Sequence, residues 1–359
     1  MDIMDLNREK YDLWDDFCLK SDEAWFWHTT KWLDYCVCYG EKKLDTQNLS
    51  FMVSDNSGIL AVCPLLLEKR EQAGGDFHYG FASAGSGGFG VVPAMRNDLN
   101  EDRREKIYRL IYERIDALAG EHRAAFAAFR MTPLAVSYSP YNWLMKYGFL
   151  YSSINTQIVD LSSPLERTWS AFRKGHKYDT NRGEKYYDIH IYDKSNADKE
   201  IFDQYRLLHH KAAGRVTRPI ETFEMMYHWI ISEGGMLCGV SKDDRFAGFS
   251  YILLYKKGAC YASASDDPDF ETRTPIAHVI QWHTMKWLKE KGYTTYKLGE
   301  QQFGPQLYDH PSPKDMSISF FKRGFGGNTV LQYRGIKYFN KAFMKKDLNT
   351  NLNRLLVNY

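Results

Sequence analysis

Hydrophobic and polar positions follow a similar order in the two halves of the 359-residue chain. In the first half two apolar runs flank the turn Asp55-Asn-Ser-Gly58, and in the second half two apolar runs flank Lys242-Asp-Asp-Arg245. Polar turn residues between apolar runs predict β-hairpins. A further strand is predicted after each hairpin, at about 77–83 and 258–265. The pattern therefore predicts a similar strand group near the middle of each half.

A helix and another strand follow in both halves. Apolar residues recur with helical spacing in about 102–119 and 275–291, and a glycine follows each of these segments. This spacing and the terminal glycine predict two amphipathic helices. Short strands are predicted directly afterwards, at 124–129 and 294–299.

The closing segments of the two halves align without gaps. Trp143-Leu-Met-Lys146-Tyr-Gly-Phe149 matches Ser319-Phe-Phe-Lys322-Arg-Gly-Phe325, and a predicted strand follows each segment. The recurrence of these elements in one order predicts an internal duplication. The predicted fold class is α/β (α+β), with a mixed β-sheet flanked by helices in each copy. The predicted domains are residues 1–160, residues 161–340 and a polar C-terminal tail at 341–359.

Composition and charge narrow the possible functions. Apolar residues make up 44% and charged residues 26% of the chain, which is ordinary for a globular protein. The net charge of +2 argues against binding DNA through phosphate neutralisation. The six cysteines form no CxxC pair, and the histidine spacings match no metal motif, so we expect reduced thiols and no metal site. Without an apolar leader or a long apolar run, the sequence predicts a cytoplasmic protein with no transmembrane segment.

Several motifs resemble a known family. The segment Lys297-Leu-Gly-Glu300, together with Phe321–Gly327, resembles the FemAB type of GNAT-related tandem acyltransferases. The basic stretch 169–183 is similar to the helix that opens the second domain of that family, and 209–218 is similar to a variant in its bacterial envelope-associated members. The resemblance implies two tandem GNAT-like domains. It also implies that the first domain forms part of a cleft and that the second is catalytic.

The sequence departs from this family in two places. Peptidyl-transferase members carry a long helical arm that docks tRNA, and no such charged insertion is visible here. We therefore expect acyl-CoA as the donor in preference to aminoacyl-tRNA. Acetyl-CoA members hold the pyrophosphate on a glycine-rich loop at a helix start. The matching segment keeps Arg273 and Ala277, the predicted cofactor-binding residues, but has proline and isoleucine between them, which leaves CoA binding open.

Three residues are candidates for catalysis. The resemblance implies that Lys322 lies in the cleft, where an ammonium could neutralise a diphosphate or stabilise an oxyanion. Glu300 ends a predicted strand and could accept the proton of an attacking amine. Tyr308, on the loop that follows, could protonate a thiolate leaving group. The alternatives are a solvated surface lysine, like its counterpart Lys146, and a loop ion pair for Glu300.

A second set of residues is predicted to bind substrate. Their side chains are basic or polar and would suit an anionic acceptor such as a nucleotide sugar. The set consists of His176, Lys177, Arg182, Arg215, Arg218 and Gln302. For these residues the alternatives are a solvated, charged helix face or ion pairs at helix ends. The glycine-rich run 82–90 lacks the lysine of a P-loop, so we expect a loop beside the cleft in preference to a phosphate cradle.

The predicted function is direct transfer of an acyl group from acyl-CoA to an amine. The acceptor would be a cell-envelope precursor or a nucleotide-linked amino sugar, and no covalent enzyme intermediate is implied. Two alternatives stay open. One is a FemAB-type, aminoacyl-tRNA-dependent aminoacyltransferase that extends peptidoglycan bridges, and the other is a catalytically inactive GNAT-like binding module.

Overall fold

A computed structural model describes residues 1–71, 77–271 and 274–357. The helices are α1 (Tyr11–Lys20), α2 (Thr30–Leu44), α3 (Glu101–Glu121), α4 (Leu165–Ser170), α5 (Lys174–Tyr186), α6 (Lys199–Ala213), α7 (Ile220–Ile231), α8 (Ile276–Glu290), α9 (Pro313–Arg323) and α10 (Lys341–Leu356). The strands of the first half are β1 (Asp2–Asp5), β2 (Gln47–Asn48), β3 (Phe51–Asp55), β4 (Gly58–Cys63), β5 (Leu66–Glu71), β6 (Phe77–Phe81), β7 (Gly90–Val91), β8 (Ala94–Met95), β9 (Ala124–Arg130) and β10 (Leu150–Tyr151). The remaining strands are β11 (Ile154–Asp160), β12 (Asp188–Tyr192), β13 (Gly235–Lys242), β14 (Arg245–Tyr255), β15 (Gly258–Asp266), β16 (Thr295–Gln301), β17 (Asn328–Gln332) and β18 (Arg334–Tyr338).

The chain forms two compact units that exchange segments. The first unit comprises Met1–Ile154, Gly304–Ser312 and Leu331–Tyr359, and the second comprises Asn155–Phe303 and Pro313–Val330. Segments beyond position 303 therefore return to the first unit, which differs from the boundaries predicted from the sequence. The physical reason is strand pairing, because β18 pairs with β9 and β10 in the sheet of the first unit.

The first unit contains two β-sheets. The smaller has the order β1-β3-β4-β8, and the larger has the order β10-β18-β9-β6-β5-β2 with β7 beside β9. The single strand predicted after the first hairpin turn is divided at Pro64, so that β4 and β5 belong to different sheets. Proline has no backbone N–H to donate to a ladder, which makes it a natural break between strands.

The longest helix, α3, supplies the core of the first unit. Asn100 caps its start by accepting a hydrogen bond from the backbone N–H of Arg103. Ile107, Ile111 and Ile115 are fully buried along one face of the helix. Burying each such side chain stabilises the fold by about 1.5–3 kcal/mol. The helix predicted at 102–119 is thus present and slightly longer.

The second unit is built on one seven-stranded sheet with the order β12-β13-β14-β15-β16-β11-β17. Strands β15 and β16 are parallel, whereas β12 to β15 are joined by antiparallel pairs. The buried residues Val279 and Ile280 of α8 pack with Tyr296 and Leu298 of β16 in the same apolar core. The predicted fold class, mixed sheets flanked by helices, is confirmed.

The C-terminal segment forms the helix α10. Its cap residue Asn340 accepts a hydrogen bond from the backbone N–H of Phe343. The Phe343 ring stacks on Phe126 of β9, with ring centroids 5.5 Å apart and an interplanar angle of 9°. No helix in the described part of the chain has the length and apolar character needed to cross a bilayer.

Candidate active site

Two parallel strands of the second unit separate from each other and open a split. Strands β15 and β16 pair from Gly258/Thr295 to Cys260/Lys297, and beyond this point β15 continues beside β14 and β16 beside β11. Ala262, Ala264 and Asp266 are exposed on β15 after the separation. Ligands of α/β sheets commonly bind outside the carboxyl ends of parallel strands. The split is therefore the candidate active site.

Lys322 of α9 reaches the backbone of β16 at Gly299. A Cβ atom on Gly299 would lie 2.7 Å from the Lys322 Nζ, closer than a carbon atom can approach. The residue also has a φ of +115°, and the β11–β16 register shifts opposite it, between Gln157 and Ile158. Glycine is required here both for the backbone conformation and for the approach of the ammonium.

The surroundings of Lys322 alter the pKa of its ammonium and strengthen its electrostatic effect on neighbouring charges. Burial lowers the pKa of its ammonium, whereas the nearby Glu300, Cys260 and Asp315 act in the opposite direction. A charge in a partly dehydrated site acts more strongly on a neighbouring charge than it would in water. Glu300, the other member of the predicted catalytic pair, thus acts on Lys322 from β16.

Hydrogen bonds attach α9 to the carboxyl end of β16. The backbone N–H of Gln302 donates to Ser319 Oγ at 3.0 Å, which places this predicted substrate-binding residue beside α9. Arg323 Nη1 donates to Gln301 Oε1 at 2.8 Å, and its guanidinium lies 4.5 Å from the centroid of the Phe303 ring. These contacts fix the helix that carries Lys322.

The start of α8 lies at the carboxyl end of β15. Its N-cap residue is Pro275, whose side chain cannot accept a hydrogen bond, and Ala277 lies in the first turn. Arg182 Nη2 donates to Thr274 Oγ1 at 3.4 Å, so this predicted substrate-binding residue adjoins the helix start. Backbone N–H groups at such a position attract anions. Arg273, the other predicted cofactor-binding residue, lies outside the described residues.

His176 and Lys177 contribute to packing in the second unit. The His176 ring is buried, its Nε2 lies 2.9 Å from the carbonyl oxygen of Phe321, and burial lowers its pKa. A Cβ on Gly324 would lie 2.0 Å from this Nε2. Lys177 Nζ donates to the carbonyl of Ser170 at 2.9 Å. Both residues hold α5 in place, and their predicted contact with substrate stays a prediction.

The remaining predicted residues lie elsewhere. Arg218 is half-buried, its guanidinium lies 4.2 Å from the centroid of the Phe223 ring, and its charge acts on Tyr205. Arg215 is exposed. Tyr308 belongs to the first unit, where burial raises its pKa and its hydroxyl interacts with Tyr338.

Sequence reasoning missed residues that shape the split. Cys260 acts on the pKa of Lys322, and Asp267 anchors the segment after β15 through hydrogen bonds from Lys211 and Arg245, each 2.5 Å long. The alternation of alanine and serine in 262–265 was a usable signal, because small side chains on a central strand leave space above it. No cluster of metal-binding side chains occurs within residues 1–71, 77–271 and 274–357.

The corresponding position in the first unit is filled. Strands β6 and β9 are parallel up to Phe81/Ala127, but β7 then pairs with Phe129 and Arg130 of β9. The fully buried Glu68 holds this segment by accepting a hydrogen bond from the backbone N–H of Ala84 at 2.7 Å. The glycine-rich run at 82–90 therefore closes the split of the first copy, whereas the second copy stays open.

Comparisons with known proteins define the class. Residues 170–308 match the model of the acetyltransferase (GNAT) domain family. The chain is similar over 96% of its length to 99% of a chain in the crystal structure of FemX, with 13% identity and a TM-score of 0.67. It is similar over 97% of its length to 97% of the C-terminal domain of a putative lysylphosphatidylglycerol synthetase from Agrobacterium fabrum, with 16% identity and a TM-score of 0.57.

A third solved structure is named as a tandem GNAT protein. The chain is similar over 94% of its length to 98% of a tandem GNAT protein from the clavulanic acid biosynthesis pathway, with 11% identity and a TM-score of 0.52. A search of curated protein sequences finds no significant match. The fold and the domain match define an acyltransferase. Residues 170–308 match the GNAT domain, and the whole chain has the fold of FemX and of the tandem GNAT protein.

Proposed function

We propose that the chain transfers an acyl group from acyl-CoA to the amine of a cell-envelope precursor in the split of the second unit. The observation that carries this proposal is the position of Lys322, whose Nζ approaches the backbone of Gly299 beside the open end of β16. An extended donor could pair with the backbone of β15 beyond Cys260, where β16 has moved away. The backbone N–H groups at the start of α8 would attract its phosphates.

The reaction follows from these positions. The amine nitrogen attacks the thioester carbonyl, and the negative charge that develops on the carbonyl oxygen is stabilised by the Lys322 ammonium. Glu300 takes the proton from the attacking nitrogen, directly or through a water molecule. The tetrahedral intermediate then expels the thiolate, which takes up a proton, and the amide remains. Much of the rate gain would come from holding both substrates in one geometry.

The acceptor class is the finer part of the proposal. An anionic precursor, such as a nucleotide-linked amino sugar, would use the basic side chains that the sequence analysis singled out, Arg182 and Arg218 foremost. Both side chains lie in the second unit. A cytoplasmic reaction also stays part of this proposal, and the role of Tyr308, which lies in the first unit, stays a prediction.

A second candidate donor is aminoacyl-tRNA. The chain has the fold of FemX, and carboxylates lie at Asp266, the last residue of β15, and at Asp269 and Glu271 in the segment that follows. Carboxylates beside the start of α8 oppose a pyrophosphate but suit the ammonium of an aminoacyl group. Lys211 neutralises Asp269 through a contact of 2.8 Å, which leaves Asp266 and Glu271 for this role.

A transfer assay with both donors tests the proposal. Purified protein would be given acetyl-CoA or aminoacyl-tRNA with a panel of amine acceptors, and amide products would be followed by mass spectrometry. We expect Lys322→Ala to lower kcat by about 10²–10³, the usual loss for a group that stabilises an oxyanion. Lys314→Ala is the matched control, because Lys314 is an exposed residue of the same helix.

The outcomes separate the candidates. Transfer from aminoacyl-tRNA alone would replace acyl-CoA as the donor but leave the role of Lys322 intact. Equal losses in Lys322→Ala and Lys314→Ala would refute the role of Lys322. Binding of donor or acceptor without transfer would support the inactive binding module.

A further inference from the structure

The first unit contains a cavity that the proposed reaction does not use. Its volume is about 400 Å³. This lies within the range of roughly 300–1,000 Å³ that is usual for small-molecule sites. The start of α3, the segment that follows β9 and the short 3-10 helix Trp143–Tyr147 form the walls.

Aromatic side chains make up much of the cavity wall. The rings of Tyr108 and Trp143 are in contact, with centroids 4.4 Å apart, and Tyr147 stacks on Tyr112 behind it. Tyr138 is fixed because its hydroxyl donates to the carbonyl of Leu331 at 2.8 Å. Aromatic faces carry negative electrostatic potential and attract cations.

Carboxylates outnumber cations in this wall. Its charged members are Glu23, Glu101, Glu105, Arg104 and Lys146. Glu23 forms an ion pair with Arg104 that cancels both charges. Two carboxylates, Glu101 and Glu105, then stand against the single ammonium of Lys146. The balance opposes a phosphate or a CoA and favours a positively charged ligand.

Cations of the protein already lie over the cavity rings. Lys146 Nζ lies 5.7 Å from the centroid of the Tyr141 ring, and the Arg104 guanidinium lies 5.9 Å from that of Tyr108. Both distances are within the range of cation–π contacts. Lys146 is exposed, so its flexible side chain can leave the ring when another ammonium arrives.

We propose that this cavity binds a small organic ammonium compound. Its apolar body would contact Tyr108 and Trp143, and its ammonium would lie near Glu105 and displace Lys146 from Tyr141. Lys146 is the counterpart of Lys322 in the duplicated sequence, but here the lysine competes with the ligand. The proposal goes beyond the transfer reaction and does not depend on it.

Titration calorimetry on the full chain tests the ligand class. The probes are benzylamine and choline, with benzyl alcohol as the neutral analogue and benzoate and acetyl-CoA as anions. We expect saturable binding of benzylamine, tighter than that of benzyl alcohol. Equal affinity for benzylamine and benzyl alcohol, or no saturable binding of either ammonium probe, would overturn the proposal.

Charge variants test the location. Glu105→Gln is expected to weaken benzylamine binding about three- to tenfold, the size of a partly exposed charge or cation–π contact. Lys146→Met is expected to strengthen it, because the competing ammonium is gone. Glu113→Gln and Lys106→Met on exposed positions of α3 outside the cavity wall are the matched controls. Tighter binding of benzoate or acetyl-CoA, together with weaker binding in Lys146→Met, would assign an anion site and refute the proposal.

Discussion

Replacing Gly299 by alanine is the sharpest test of the active-site geometry. The new Cβ would lie 2.7 Å from Lys322 Nζ and 3.5 Å from its Cε. The backbone φ of +115° is also one that side chains with a Cβ rarely adopt. The substitution therefore strains the strand and pushes away the one ammonium on which the proposed chemistry depends.

The size of the effect can be worked out from these two causes. A non-glycine residue in a sparsely populated backbone region costs about 1–3 kcal/mol. The second cost is smaller, because Lys322 is a flexible side chain that can move away. For a unit of this size each kcal/mol lowers Tm by about 2–4 °C. We expect a stability loss of about 1–3 kcal/mol and a fall in kcat similar to that of Lys322→Ala.

The assay compares two glycines that share a positive φ. Gly292 has a φ of +81°, but a Cβ there would have its nearest neighbour, Lys257 Nζ, at an ordinary 3.8 Å. Because alanine also fits this backbone conformation poorly, Gly292→Ala should lower Tm by a similar amount and leave kcat unchanged. In the double variant Gly299→Ala/Lys322→Met the crowding of the ammonium is relieved, so the double variant should be more stable than the sum of the two single effects predicts.

Two results would refute this reasoning. If Gly299→Ala retained wild-type kcat, the Lys322 ammonium would not need to lie over β16. If Gly292→Ala reduced kcat as strongly as Gly299→Ala, the loss would come from general strain. Strict additivity in the double variant would show that Gly299 and Lys322 do not interact.

Three further predictions concern charge and packing. Burial lowers the pKa of Lys322, so the buried ammonium destabilises the folded protein as long as the lysine is protonated. Lys322→Met should therefore raise Tm at pH 7. This gain should shrink as the pH rises towards 10.5, the usual pKa of a lysine, because the cost of the charge then disappears. Burial alone would raise the pKa of Asp267, but hydrogen bonds from Lys211 and Arg245 outweigh it and lower the pKa to about 2 from 3.8. Asp267→Asn should therefore lower Tm at pH 7, and acid unfolding should show the difference disappearing as the pH falls from about 4 to 2. Gly324→Ala should destabilise the protein by about 1–3 kcal/mol through crowding of His176, as measured by chemical denaturation, whereas Gly304→Ala should have little effect.

Local elements of this chain were predictable because their causes are local. The turn at 242–245 and the helix at 276–290 follow from polar turn residues and from apolar residues at helical spacing. The apolar runs on either side of the turn predicted the two strands of the hairpin. The fold class could be predicted because these elements recur in one order in both halves.

The partners of the strands could not be predicted in the same way. Strand β11 follows the first repeat in sequence yet pairs with β16 in the sheet of the second unit, and β18 follows the second repeat yet pairs with β9. Which strands pair depends on the register and shape of distant strands, which leave no periodic signal. The position of Lys322 could be inferred from the family resemblance. Its approach to Gly299 could not, because it depends on the register shift opposite Gly299, which leaves no pattern in the sequence.

The two copies should differ in chemistry because their separating parallel strands are paired differently. A parallel pair that separates exposes backbone groups, and an exposed backbone must be paired by protein, water or ligand. In the first copy β7 supplies that pairing from within the chain, so β9 offers no unpaired backbone to a donor there. In the second copy β15 keeps its small side chains and Lys322 keeps a glycine beneath it. Deleting the segment around β7 should therefore leave an unpaired strand edge and destabilise the first unit. It should not create a second transferase site, because Lys146 lies beside a tyrosine ring, whereas Lys322 lies beside the backbone of a strand.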